Sequence, residues 1–143
     1  MHRADMHRAD MERAIRHAYA ERLTNDVDRV CALFWDDALI RIAGKTDATD
    51  FVTGGQSSVS VRPVVEALVH NWHWLEIRFF NLLIDGNRAA VHYTARLRLT
   101  PTREIQETEL FDFVTFRDGK VAELVEFCDT AVIAGLMTSA GKR

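Results

Sequence analysis

The apolar residues in the first half of the chain recur with a helical period. From about residue 10 they return every four residues, as one stripe of an amphipathic helix: Met11, Ile15, Tyr19 and Leu23. After the polar segment 24–26, which can cap a second helix, a further stripe is formed by Val27, Val30, Cys31 and Phe34. A third helix is predicted over 61–75, with Pro63 in its first turn and a stripe of Val64, Leu68, Trp72 and Leu75.

The second half alternates between apolar and polar residues with the period of two that is typical of strands. Strands are predicted over 76–84, 88–100, 104–116 and 121–128, preceded by a short strand at 38–43. The segments IDGNR and FRDGK predict hairpin turns, and a short helix follows from about residue 130. This order predicts an α+β fold, in which the helices pack on one face of a curved antiparallel sheet.

Two segments follow neither period. Residues 44–60 are polar and contain Gly54 and Gly55, which is typical of a lid over a binding site or of a plain surface loop. Residues 1–9 include the tandem repeat MHRADMHRAD, which is too short for a repeat architecture. We therefore expect a disordered or helical extension over 1–9 and a single domain over 10–143.

Composition narrows the range of partners. The 143 residues carry a net charge of -3, so no basic surface for nucleic acid is expected. No apolar run is long enough to span a membrane, and the charged N-terminus does not resemble a secretory signal. Cys31 and Cys128 do not have the spacing of a metal or redox pair. These features predict a reduced, cytoplasmic protein.

The last hairpin carries one carboxylate in the middle of each apolar strand. Asp112 lies between Phe111 and Phe113, and Glu126 lies within VEF at 125–127. Burying a carboxylate costs free energy unless it is compensated. The two groups are therefore solvated or salt-bridged at an open mouth, or they form an acid and base pair for chemistry.

The turn of this hairpin decides whether the two carboxylates share a face. A two-residue loop at 118–119 would place them on opposite faces, whereas a three-residue loop at 117–119, with Gly119 in the left-handed region, would place them on one face. We favour the three-residue loop. The shared face then consists of Leu110, Asp112, Val114, Phe116, Ala122, Leu124, Glu126 and Cys128. The other face consists of Phe111, Phe113, Val121, Val125 and Phe127.

The strand before this hairpin has one apolar and one basic face. The apolar row is expected to face the helices and consists of Ala89, Val91, Tyr93, Ala95, Leu97 and Leu99. The other row is expected to face water or a subunit boundary and consists of Arg88, His92, Thr94, Arg96 and Arg98. Because the outer row of the last hairpin is apolar, a partner subunit is the expected cover for it.

Other combinations that carry chemistry are not evident in the sequence. His70 and His73 lie three residues apart on the predicted third helix, but no carboxylate or cysteine accompanies them at ligand spacing. The sequence also lacks a phosphate loop, a dinucleotide fingerprint and a Ser-His-Asp order. We therefore expect neither a metal nor a cofactor.

Two segments resemble a known family. NDVDRVCALFWDDALIRIAG is similar to the second helix and first strand, and FDFVTFRDGKVAELVEFCDT to the last hairpin, of the nuclear-transport-factor-2-like superfamily, in its SnoaL-like and ketosteroid-isomerase-like branch. The resemblance covers about residues 10–138. It implies a cystatin-like α+β barrel, or cone, in which the curved sheet wraps round the helices and encloses an apolar pocket. It also implies homodimers that associate through the outer face of the sheet.

The resemblance also suggests roles for individual residues. In ketosteroid isomerases, a tyrosine of the first helix and an aspartic acid of the penultimate strand donate hydrogen bonds to the developing oxyanion of the substrate. Tyr19 matches the tyrosine with one residue gapped, and Asp112 matches the aspartic acid. The catalytic base of those enzymes falls at Ile42, so their mechanism as a whole is not expected here.

Limonene-epoxide hydrolases supply a second partial match. Their last-strand catalytic aspartate falls at Glu126, whereas their arginine and second aspartate fall at Tyr93 and Ala95. Their water-positioning tyrosine and asparagine fall at Ile40 and Ile42. The chain thus resembles parts of two catalytic sites and the whole of neither.

The expected function is the binding of a small apolar molecule, with cofactor-free isomerase, cyclase, hydratase or hydrolase chemistry by proton transfer. In that interpretation Asp112 is the acid or hydrogen-bond donor, Glu126 the base and Tyr19 a second donor. The alternative is a non-catalytic ligand-binding or assembly module, which Ile40 and Ile42 favour. The expected ligand contacts are Ile40, Ile42, Leu68, Trp72, Tyr93, Leu97, Leu110, Leu124 and Cys128.

Overall fold

A computed structural model describes residues 7–44, 46–53 and 60–141. Over these residues the helices are α1 (Arg8–Arg22), α2 (Val27–Cys31), α3 (Thr46–Thr53), α4 (Val61–Asn71) and α5 (Thr130–Gly141). The strands are β1 (Phe34–Ala43), β2 (Trp72–Asp85), β3 (Arg88–Leu99), β4 (Glu104–Arg117) and β5 (Lys120–Cys128).

The strands form one curved, open sheet in the order β1-β5-β4-β3-β2. The predicted α+β fold, with a curved sheet and N-terminal helices, is confirmed. The pairs from β2 to β5 are antiparallel, as predicted, but β1 pairs with β5 in parallel. Parallel pairing needs a long connection, and α3, α4 and three strands separate β1 from β5 along the chain.

The predicted stripes of the first two helices pack against the core, but the second helix is shorter than predicted. Met11, Ile15 and Tyr19 of α1 are buried. Asp26 caps α2 by accepting a hydrogen bond from the backbone N–H of Arg29 at 3.0 Å. The helix ends at Cys31, and Phe34 begins β1. Phe34 is buried, but as a strand residue. Its helical spacing from Val27 and Val30 therefore made the predicted helix too long.

The third predicted helix also ends early, at Asn71 instead of residue 75. Trp72 and Leu75 belong to β2, where Trp72 and Trp74 are buried and Leu75 is 39% exposed. The run WHWLEIRFF is rich in aromatic residues, which favour strands. His70 and His73 consequently lie on different elements, α4 and β2, instead of on one helix.

The segment 44–60 is not simply a loop, because residues 46–53 form α3. Val52 is buried, and the ring of Phe51 packs edge-on against Trp72 at 5.8 Å between ring centroids. Gly54 and Gly55 lie outside the described residues, so the lid stays a prediction. At the other end, α1 begins at Arg8, and residues 1–6 of the predicted extension also lie outside the described residues.

The last hairpin combines features of both predicted turns. Arg117 pairs with Lys120, so the loop has two residues, Asp118 and Gly119, with φ angles of 48° and 84°. These left-handed angles are typical of a type I′ turn. The register then shifts beyond Phe116, and Ala122 is the extra residue of a β-bulge. The predicted three-residue loop was therefore wrong. The bulge nevertheless shifts the register of β5 against β4 by one residue, as a third loop residue would have done.

The consequence of the bulge is that Asp112 lies directly opposite Glu126. Leu110 likewise pairs with Cys128 and Val114 with Leu124, as the favoured register predicts. Between the turn and the bulge, the side chains of β5 lie on the opposite face from the one predicted. Val121 pairs with Phe116 and is buried on the inner face, not on the outer face where it was predicted.

The two faces of the sheet otherwise follow the predicted alternation. The apolar row of β3 is buried and consists of Ala89, Val91, Tyr93, Ala95, Leu97 and Leu99. On the outer face, the exposed aromatic residues of the last hairpin are Phe111, Phe113 and Phe127. In the part of the chain that the structure describes, no helix has both the length and the apolar character needed to cross a membrane.

Candidate active site in the cone

The helices and the inner face of the sheet enclose a cavity of about 120 Å³ with largely apolar walls. An engineered apolar cavity of about 150 Å³ binds benzene, so this volume suits a small ring compound. Seven predicted ligand contacts line the cavity: Ile40, Leu68, Trp72, Leu97, Leu110, Leu124 and Cys128. The other two, Ile42 and Tyr93, are buried in the core and do not line it.

Two of the three predicted catalytic residues lie behind the cavity wall. Glu126 lines the cavity, whereas Asp112 and Tyr19 do not. The Tyr19 hydroxyl donates a hydrogen bond to Asp112 Oδ2 at 2.5 Å, so it contacts its predicted partner in catalysis instead of the cavity. Direct hydrogen bonds from Asp112 and Tyr19 to a ligand therefore have no support in this geometry.

Tyr93 joins the two carboxyls. Its hydroxyl lies 2.7 Å from Asp112 Oδ2, to which it donates, and 3.5 Å from Glu126 Oε1. Tyr93 packs edge-on against Tyr19 at 5.0 Å between ring centroids, which fixes both hydroxyls next to Asp112. The sequence placed Tyr93 among the ligand contacts, and the structure places it one layer deeper.

Burial raises the pKa of Asp112 well above its usual range, and the charge of Glu126 raises it further. The hydrogen bonds from Tyr19 and Tyr93 lower this pKa by less. Among the described residues, Asp112 Oδ1 accepts no hydrogen bond. That is expected of the oxygen that carries the proton, because the proton makes it a donor instead of an acceptor, and Glu126 lies directly opposite Asp112 in the sheet.

Glu126 is the more acidic member of the pair. Burial raises its pKa, but the neighbouring Asp112 carboxyl, the charge of Arg22 and the hydrogen bond from Tyr93 all lower it. Asp112 therefore keeps its proton while Glu126 ionises first. The arrangement supplies one carboxylate base on the wall of an apolar cavity, supported by one neutral carboxylic acid.

Cys128 and the two tyrosines stay protonated around the pair. Burial and the nearby charge of Glu126 raise the pKa of the Cys128 thiol far above its usual range, so it is not a thiolate nucleophile. Burial also raises the pKa of Tyr19 and Tyr93, which keeps both hydroxyls as donors.

Sequence reasoning missed two polar groups on the cavity wall, Arg22 and Thr108. Arg22 is the last residue of α1 and lies three positions after Tyr19, which places it on the same side of the helix. Thr108 precedes Leu110 and Asp112 in the inward row of β4 and is 3% exposed. The alternation of β4 could have identified Thr108, whereas nothing in the sequence distinguishes Arg22 from the surface arginines of α1.

The described residues contain no group of three or more side chains that could hold a metal ion. His73 Nδ1 lies 3.1 Å from Arg98 Nη2 at the edge of the sheet, and His70 is exposed at the end of α4. His92 lies on the outer face between Asn81 and Glu109.

The chain matches the family model of the SnoaL-like domain over residues 13–124. A comparison with curated proteins found no match. Among solved structures, the chain is similar to a protein from Rhodopseudomonas palustris assigned as an isomerase. The two share 16% identity over 94% of this chain and 99% of that chain, with a TM-score of 0.73.

Two further structures are similar in fold. One is SalBIII, an epoxide hydrolase/cyclase-like enzyme in pyran ring formation in the polyether salinomycin. It is 19% identical over 86% of this chain and 93% of that chain, with a TM-score of 0.68. The other is an LEH-like epoxide hydrolase from M. tuberculosis, 16% identical over 94% of this chain and 98% of that chain, with a TM-score of 0.65. At these identities the likeness shows the fold alone.

Proposed function

This chain belongs to the SnoaL-like family, and on that premise we propose that it binds a small apolar molecule in the cone and moves a proton on it without a cofactor. The reaction class is isomerisation, cyclisation or hydration. A proton removed from one position of the substrate and returned at another needs neither oxidant nor reductant.

The observation that carries this proposal is the position of Glu126. It is a buried carboxyl on the wall of an apolar cavity, and a neutral acid lies directly opposite it in the sheet. A base performs best when its pKa lies near the working pH. Burial moves the pKa of Glu126 in that direction, because it raises it from the usual range of an exposed carboxyl.

The residues behind the wall have supporting roles. Asp112, held by the hydroxyls of Tyr19 and Tyr93, lies directly opposite Glu126 and keeps a neutral acid beside the base. It is a positioning residue, because it acts through Glu126. When Glu126 takes a proton from the substrate, the two carboxyls together hold two protons and no charge, which suits a low-dielectric interior.

The similar structures agree with this reaction class. One is assigned as an isomerase, and two are described as epoxide hydrolase-like or cyclase-like enzymes. Isomerisation, epoxide opening and ring closure all require a positioned acid or base. The substrates of those proteins are not carried over to this chain.

The alternative is a module that binds the same class of ligand without turning it over. Ile40 and Ile42 of β1 favour it, because they supply no polar group where the limonene-epoxide hydrolases that the chain resembles have a tyrosine and an asparagine. Ile40 lines the cavity as a purely apolar contact.

Hydrogen exchange on a small ketone tests the proposal and separates it from the alternative. Cyclohexanone in D2O exchanges the hydrogens next to its carbonyl when a base removes them, and proton NMR follows the loss of signal. Binding is followed separately by the fluorescence of Trp72 and Trp74, which line the cavity. We expect both binding and accelerated exchange. Binding without exchange would support the non-catalytic module, and no binding would refute the cavity as the ligand site.

A further inference from the structure

Arg22 has hydrogen-bonding capacity left over on the cavity wall. Its Nη1 donates to Asn25 Oδ1 at 3.0 Å, and its Nη2 donates to the carbonyls of Leu68 at 3.1 Å and Trp72 at 2.9 Å. A guanidinium has five N–H groups. Among the described residues, the remaining two have no acceptor, and no carboxylate forms an ion pair with Arg22.

The guanidinium is also fixed in position. It lies over the ring of Trp74, 4.6 Å from the ring centroid. Asn25, which accepts one of its hydrogen bonds, is itself held by Nδ2 donation to Trp74 O at 3.1 Å and by the Trp74 backbone N–H. Burial lowers the pKa of Arg22 to about 10, so it is still a cation near neutral pH.

A second polar group on the same wall is incomplete. Thr108 is 3% exposed and lines the cavity, and its Oγ1 has no hydrogen-bond partner among the described residues. A buried polar group without a partner costs about 1–3 kcal/mol. Arg22 therefore indicates that the occupant of this cavity carries an oxygen acceptor as well as an apolar body, and Thr108 indicates independently that the occupant carries a polar group.

Arg22 and Glu126 line one cavity and attract each other without forming a direct ion pair. A base that removes a proton next to a carbonyl leaves negative charge on the carbonyl oxygen. That charge needs a donor already fixed in place. Asp112 and Tyr19, the donors that a ketosteroid isomerase would use, do not line the cavity here.

We propose that Arg22 binds the carbonyl oxygen of the substrate and stabilises the negative charge that develops on it when Glu126 removes a neighbouring proton. The substrate is then a small, largely apolar carbonyl compound with a hydrogen on the carbon beside the carbonyl. This inference rests on the function proposed above and names its substrate class.

The step is balanced within the site. The C–H bond breaks, and its proton forms an O–H bond with Glu126. The electron pair moves into the C–C–O system, and the resulting enolate oxygen accepts a hydrogen bond from one of the two remaining N–H groups of Arg22. Return of the proton at the same or another carbon restores the carbonyl and the carboxylate.

Cyclohexanone and cyclohexane test the contact, because they match in shape and differ in the carbonyl oxygen. The wild type alone gives the first result. An Arg22 hydrogen bond lowers the carbonyl stretching frequency of bound cyclohexanone below its value in an apolar solvent. An unshifted stretch for the bound ketone would overturn the inference without any variant.

Variants then assign the donor. Arg22→Met keeps an apolar side chain of similar length, and Arg22→Lys keeps the charge. Arg16→Met is the matched control, because Arg16 also lies over an aromatic ring, that of Phe79, but does not line the cavity. Thr108→Val removes the unpartnered hydroxyl of the cavity wall and keeps the shape of the side chain.

We expect Arg22→Met to lower the ratio of cyclohexanone to cyclohexane affinity at least tenfold, since hydrogen bonds to charged groups are the stronger ones. Arg22→Lys should retain part of the ratio, and Arg16→Met all of it. A ratio unchanged in Arg22→Met, or lost only in Thr108→Val, would overturn the role of Arg22 and leave the proposed function standing. Failure of the wild type to bind either compound would refute both.

Discussion

The inner face of the β4–β5 hairpin carries Asp112 opposite Glu126, both buried, whereas the outer face carries Phe111 opposite Phe127, which are 42% and 49% exposed. Both faces come from alternate residues of the same two strands. On the inner face polar groups are removed from water, and on the outer face aromatic rings are left in it. Each arrangement costs free energy unless something compensates.

The compensation differs between the two faces. Inside, it lies within the chain: the hydroxyls of Tyr19 and Tyr93 hold Asp112, which in turn supports Glu126. Outside, the contacts are loose: the Arg88 guanidinium lies over the Phe113 ring at 5.9 Å from its centroid, and the rings of His92 and Phe111 are 6.4 Å apart. A self-compensated polar cluster indicates a site for chemistry, while an uncompensated aromatic surface indicates association.

The largest expected difference between the faces concerns catalysis. Glu126→Gln should reduce the exchange of cyclohexanone hydrogens by about 10²–10⁴-fold, because it removes the base, and should leave binding largely intact. Glu123→Gln is the matched control, because Glu123 lies on the same strand and is exposed. Proton NMR in D2O measures both. Equal losses in the two variants would contradict the special role of the inner face.

Stability provides the next comparison, with two phenylalanines of β4. Phe116 faces inward and is 4% exposed, so Phe116→Ala should lower the free energy of unfolding by about 3–5 kcal/mol. Phe111→Ala should cost about 1 kcal/mol in the monomer, because its ring is already partly in water. Urea unfolding measures both, and similar costs would show that the two faces are equally well packed.

Association tests the outer face directly. We propose that Phe111, Phe113 and Phe127 are covered by a second copy of the chain, so light scattering should give a dimer mass at micromolar concentration. Phe127→Asp should raise the dissociation constant at least about 100-fold, or about 2.7 kcal/mol, because it places a charge in an apolar contact. Phe127→Leu should keep the dimer. A monomeric wild type would exclude this cover.

The smallest expected effect is the pH dependence of stability. Burial raises the native pKa of Asp112 above its unfolded value, so the native state holds this proton more tightly. The resulting stabilisation is complete below the unfolded pKa of about 4 and is lost as pH rises through the native pKa. The loss for one proton is at most about 1.4 kcal/mol per pH unit.

Asp112→Asn removes this titration but keeps an amide that can accept from Tyr19 or Tyr93. The free energy of unfolding of the wild type should therefore fall more steeply than that of the variant above pH 4, as measured by urea unfolding at a series of pH values. Parallel curves would mean that Asp112 titrates alike in the folded and unfolded chain.

Much of the hairpin could be predicted because strand alternation and turn chemistry are local. The sequence correctly predicted that Asp112 and Glu126 share a face, although the extra residue is Ala122 in the strand instead of a third loop residue. A bulge at either place gives the same register at the carboxyls. Val121, which lies between the two possible places, changes face.

The rest of the site depends on contacts between distant segments. Trp72 would be buried at the end of a helix as well as at the start of a strand, so the pattern of apolar residues could not tell where α4 ends and β2 begins. Arg22 becomes a cavity residue only because α1 ends against the junction of α4 and β2, where it meets the carbonyls of Leu68 and Trp72. The contact of Tyr19 with Asp112 likewise joins residues that are 93 positions apart.

Carbon-13 NMR titration of the side-chain carboxyls tests the central claim, that Asp112 and Glu126 are a buried pair sharing one proton near neutral pH. We expect the two groups to titrate together in two steps, with the step that removes the last proton well above the usual carboxyl range. In Glu126→Gln, the pKa of Asp112 should fall, because the neighbouring charge has gone. Titration of both groups near about 4, as free side chains show, would contradict the account.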